Sequence, residues 1–191
     1  GSYETASNYG SNGGITYFVN RLTPSAYPAT LSQVSVYFAS FTNVSVGTPV
    51  LVTAGANTDG DNNINNPSFQ TLNTVVNGVN QFNHYAVTPI TITSGDFVVG
   101  FGIAYNASQF PALRDTTAPN QGRSYASTDG LNFSTIDSLG FPGDMPLRAQ
   151  IFTGAVSCGY SILPASQNFA AAGGGNSVNV TTGAGCAWTA T

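Results

Sequence analysis

Few side chains in this sequence are equipped for chemistry, and each can be weighed separately. His84 is the single histidine. It lies between Asn83 and Tyr85 in a run of strand-forming residues. A Ser-His-Asp triad needs a nucleophile and an acid held against the imidazole, and no Gly-x-Ser-x-Gly turn occurs to present that nucleophile. The expected role is a strand histidine satisfied by a neighbouring hydrogen bond. One histidine also excludes the usual multi-histidine zinc sites. Glycoside hydrolysis needs two carboxylates across a cleft. The acids are Glu4 and seven aspartates, and their spacing singles out no pair. There is no lysine, which excludes self-formed isopeptide crosslinks. No catalytic residue is assigned, and the chain is expected not to be an enzyme.

One run has the pattern of a metal loop. Asn57, Asp59 and Asp61 place oxygen side chains at alternate positions, as the first ligands of an EF-hand or dockerin loop do, with Ile64 at the apolar position. Asn62 replaces the turn glycine, and Ser68 replaces the bidentate acid. The run is therefore either a weak Ca²⁺ loop or a polar hairpin loop. No other cofactor is expected.

The elements that must carry these residues are strands. Helix formers are scarce, and β-branched and aromatic residues recur between Gly, Pro, Asn and Asp punctuation. Strands are predicted near 15–22, 33–41, 49–53, 70–76, 82–87, 90–93, 97–105, 122–126 and 147–152. Val34, Val36 and Phe38 alternate on one face. The 82–87 run is partly apolar in both parities, as in a strand covered on both sides, and the 97–103 run reads as a central strand whose glycines allow close approach of a neighbour. Short strands at this spacing predict a two-sheet antiparallel sandwich of jelly-roll type. A parallel α/β fold would need helical crossovers.

Composition narrows the function. Charged residues make up 6%, against roughly a quarter in an ordinary soluble domain. The net charge is −4, and the four cations are all arginine. Nucleic-acid binding requires clustered positive charge, which is absent. No apolar run approaches the roughly 20 residues of a membrane helix, so membrane insertion is not expected. A surface of Ser, Thr, Asn and Gly suits an extracellular module whose neighbours pack without charge repulsion.

The composition shifts near Gly154. Beyond it lie both cysteines, the only tryptophan and an Ala/Gly tract at 170–175. We read 1–153 as one domain, 154–157 as a linker and 158–191 as a second segment. That segment contains Cys158-Gly159-Tyr160-Ser161-Ile162-Leu163-Pro164, then Phe169, Val178 and Val180, and finally Cys186-Ala187-Trp188-Thr189-Ala190. It resembles the opening half of BACON-type domains, small immunoglobulin-like β-sandwiches of secreted bacterial proteins. The resemblance implies a partial immunoglobulin-like β segment that must find further strands elsewhere. In an exported chain, Cys158 and Cys186 are expected to form a disulfide, with free thiols as the alternative. Trp188 shares a strand face with Cys186 and is expected to pack beside the disulfide as a core residue.

The first domain carries Tyr27-Pro28-Ala29-Thr30-Leu31, Gly95-Asp96-Phe97, Gly122-Arg123-Ser124-Tyr125 and Leu147-Arg148-Ala149. In these it resembles jelly-roll modules appended to secreted bacterial proteins such as extracellular peptidases. The resemblance carries over no catalytic residue. The expected protein is a secreted, non-catalytic structural module, a subunit of a cell-surface filament or other self-assembling structure. The alternative is an accessory carbohydrate- or protein-binding module of a longer secreted enzyme. Expected partners are other copies of the chain or neighbouring domains, with a glycan as a further candidate. An exposed sugar platform would be drawn from Tyr3, Tyr9, Tyr17, Tyr27, Tyr105 and Tyr125, most of them expected to be half-buried strand residues.

Overall fold

The computed structural model describes residues 3–10, 12–57, 63–64, 68–153, 158–169, 171–182, 186 and 188–190. The chain forms two compact units, Gly1–Gly154 and Ala155–Thr191. The first unit contains β1 (Thr5–Ser7), β2 (Ile15–Leu22), β3 (Ala29–Phe38), β4 (Pro49–Asn57), β5 (Gln70–Val75) and β6 (Gln81–Ile92). It continues with β7 (Asp96–Ala104), β8 (Ala112–Arg114), β9 (Ser124–Ser127), β10 (Ser134–Thr135) and β11 (Leu147–Thr153). The pairings are antiparallel. A six-stranded sheet runs β10-β9-β2-β7-β4-β5, and a three-stranded sheet runs β11-β3-β6. Successive strands from β2 to β4, and again from β5 to β7, alternate between these sheets, while β4 and β5 are neighbours in one. That is the connectivity of a jelly-roll-like sandwich.

The core follows from alternation. Val34, Val36 and Phe38 face inward from β3, against Phe97, Val99, Phe101 and Ile103 of β7 and Val50, Val52 and Ala54 of β4. A register shift between Leu31 and Gln33 lets Ala29 and Leu31 point inward as well. β7 is buried on both faces. Its outer face meets a second cluster of Val19, Ile64, Val98, Tyr125 and Phe133, which explains its unbroken apolar run.

The runs at 82–87 and 90–93 turn out to be one strand, β6, and the 82–87 part is covered on one side only, with Asn83 and Tyr85 buried and His84 and Ala86 exposed. Its pairing skips from Ala86 to Ile90, and β6 lies at the sheet edge, so Pro89 costs no ladder hydrogen bond. β1, β8 and β10 are too short for their alternation to show in the sequence. In the second unit, β12 (Tyr160–Leu163) and β13 (Asn179–Thr182) pair antiparallel, and Cys158 and Cys186 form a disulfide. Trp188 corrects an expectation: it is 52% exposed, not a core residue. A two-stranded ribbon has only one layer and cannot enclose so large a ring.

Candidate functional site

Alternation decides which side chains reach the outer face of the three-stranded sheet. Leu147, Ala149 and Ile151 of β11 pack toward the core, so Arg148 and Gln150 point outward. Likewise Ser35 and Tyr37 of β3 and Phe82 and His84 of β6 point outward. The register sets Arg148, Ser35 and His84 in one row across the three strands, with Tyr37 beside Phe82 in the next.

Small Ser35 in the middle of its row leaves space above the sheet. Arg148 reaches across it, and its guanidinium carbon lies 4.0 Å from the centroid of the Phe82 ring. Ser35 is only 4% exposed despite facing outward. Its hydroxyl lies 2.8 Å from His84 Nδ1, and Gln33 Nε2 is 3.4 Å from the same nitrogen. His84 thus occupies the hydrogen-bonded strand position expected of it. Tyr3 caps the adjoining rings, with centroids 4.9 Å from Tyr37 and 6.5 Å from Phe82, and Tyr37 and Phe82 are themselves 5.3 Å apart. Together with Ala39, exposed Phe41 and Asn80, these side chains line an open cleft of about 460 Å³. Asn80 accepts the Ser40 N–H through Oδ1 at 2.9 Å.

The four arginines differ sharply in their surroundings. Arg21 Nη1 and Arg123 Nη2 both donate to Asp96 Oδ2, at 2.5 and 2.8 Å, and Thr23 donates to Asp96 Oδ1 at 2.6 Å. Arg114 is buried, donating to the Pro142 carbonyl and to Ser7 Oγ, each at 2.7 Å. Arg148 is exposed and, among the described residues, has no hydrogen-bond or ion-pair partner. Its guanidinium rests over the Phe82 ring. The one uncommitted guanidinium among the described residues therefore sits in a cleft walled by aromatic rings.

The residues singled out from sequence fall elsewhere. Asn57 ends β4 and is buried, while Asp59 and Asp61 lie outside the described residues. Cys158, Cys186 and Trp188 belong to the second unit. Of the six tyrosines considered as a platform, Tyr3 lines the cleft, Tyr125 is buried, Tyr27 is exposed and the rest are half-buried. Tyr37, Phe41, Asn80, Phe82 and Arg148 were not anticipated as a group. The available signal was parity: Tyr37 and Arg148 fall out of phase with the apolar positions of their strands.

Fold and site together define an all-β sandwich module with an aromatic and arginine-bearing sheet face. No family model, curated protein or solved structure matches the chain.

Proposed function

We propose that this chain is a non-catalytic extracellular structural module, a subunit of a surface filament or other self-assembling cell-surface structure whose C-terminal unit packs on a neighbouring copy. The observation that carries this reading is the exposure of Tyr160, Ile162, Leu163, Phe169, Val178 and Trp188 in the second unit, with Leu163 at 74%. Two strands cannot bury such a set between them. Large apolar side chains left exposed in this number within one short unit mark a contact surface. The low charge favours a second copy as the occupant, because stacked copies then repel one another little. β5 and β6 each end a sheet of the first unit and offer edges for strand addition. Electron microscopy and sedimentation test the reading. Concentration-dependent head-to-tail polymers, dispersed by Leu163→Glu, are expected. A monodisperse monomer at high concentration overturns it.

The aromatic cleft favours a second reading, an accessory carbohydrate- or protein-binding module of a longer secreted protein. A catalytic domain in the parent reading frame would support it.

A further inference from the structure

We propose that the cleft formed by Tyr3, Tyr37, Phe41, Asn80, Phe82 and Arg148 binds a carboxylate-bearing sugar of an acidic glycan, with the carboxylate on Arg148 and the sugar body against the rings. The inference rests on the binding-module reading and uses residues of the first unit only.

Arg148 supplies the anion site. Stacking on Phe82 orders the guanidinium without consuming any N–H donor, so its edge stays free for two parallel hydrogen bonds to a carboxylate. The other arginines are already committed to Asp96 or to a carbonyl and a hydroxyl. A single uncommitted guanidinium among the described residues matches a singly charged group. Phosphates and dense anions would call for more positive charge than a chain of net charge −4 offers at this face.

The surroundings select a sugar over a peptide. The cleft lies on a sheet face, where backbone donors and acceptors are consumed within the ladder. An extended peptide needs those groups and is captured at edges instead. A pyranose needs apolar ring faces for its C–H surface and side-chain donors for its hydroxyls. Exposed Phe41 and the parts of the Tyr3 and Tyr37 rings that line the cleft provide the first, while Phe82 holds Arg148. The tyrosine hydroxyls and the Asn80 amide nitrogen, whose sister oxygen holds Ser40, provide the second. A cleft of about 460 Å³ lies within the range of small-ligand sites and has room for a short saccharide.

The test uses the full chain and an oligogalacturonate as probe, followed by calorimetry. The methyl-esterified oligomer, a neutral galacto-oligosaccharide and an oligoglutamate serve as comparisons. Saturable binding of the oligogalacturonate is expected, weakened by added salt. Arg148→Gln should lower affinity about 10- to 100-fold, the range for losing a charge-assisted pair. Phe82→Leu should weaken binding as well, and neither change should alter sedimentation. No saturable binding, equal binding of the ester, equal binding of oligoglutamate, or unchanged affinity in Arg148→Gln would each overturn the proposal. None of these outcomes bears on the parent reading frame, which tests the binding-module reading separately.

Discussion

Gly100 on β7 lies against the backbone of Phe18 on β2, so closely that a Cβ at position 100 would come within 2.0 Å of the Phe18 carbonyl oxygen and 2.7 Å of Val19 Cα. Both obstacles are backbone atoms in the middle of the six-stranded sheet, and neither can rotate away. Gly100→Ala should therefore destabilise the first unit by about 3 kcal/mol or more, or prevent folding. Gly159→Ala meets nothing within 4 Å and should be close to neutral. Urea denaturation of the two variants makes the comparison.

Asp96 carries a second prediction. Its side chain is 13% exposed and that of Arg21 is 11% exposed, so the pair is largely withdrawn from water. Asp96→Asn leaves Arg21 buried without its counter-charge and should cost about 2–4 kcal/mol. Arg123 is one-third exposed, and Arg123→Gln should cost less than about 1 kcal/mol. Equal losses in the two variants would contradict this account.

Tyr85 gives the unit a pH limit. Its ring is buried against the core, and burial pushes its phenol up to about 12. The hydroxyl donates to the Val75 carbonyl at 3.0 Å, a bond that requires the protonated form. The unfolded phenol titrates near 10. Folding is thus favoured fully below pH 10, and the contribution is lost as pH rises from about 10 to about 12, where the unfolded chain binds fewer protons. Stability measured across that range should fall in the wild type and fall less in Tyr85→Phe.

The disulfide should matter locally. Both core clusters are built from residues of the first unit, whereas Cys158 and Cys186 lie in the second. Reduction, or Cys158→Ser with Cys186→Ser, removes a crosslink that contributes roughly 3–4 kcal/mol by loop-entropy reasoning. Proteolysis should then cut within the second unit, while the denaturation midpoint of the first stays in place. A fall in both would show that the two units are energetically coupled.

Much of the sandwich was legible in the sequence. The phase of Val34, Val36 and Phe38 marked the inner face of β3, and the glycine-bearing apolar run around Gly100 marked a central strand. Those signals are local: alternation and close-packing glycines are written in consecutive residues. β6 was harder, because Pro89 looks like a terminator until its edge position is known.

The sequence by itself determined that this is an all-β chain of low charge with one histidine, no lysine and two cysteines in its C-terminal segment. Composition and local pattern suffice for such statements. Only the tertiary structure decided that Arg148 rests on Phe82, with Tyr3 against Tyr37, while Arg21 and Arg123 share Asp96. Those groupings join strands far apart in the chain through register, and register depends on the bulge near Leu31 and on the order of strands in each sheet. The same holds for Trp188. Its spacing from Cys186 suggested burial, but burial requires a second layer, and β12 and β13 make only one.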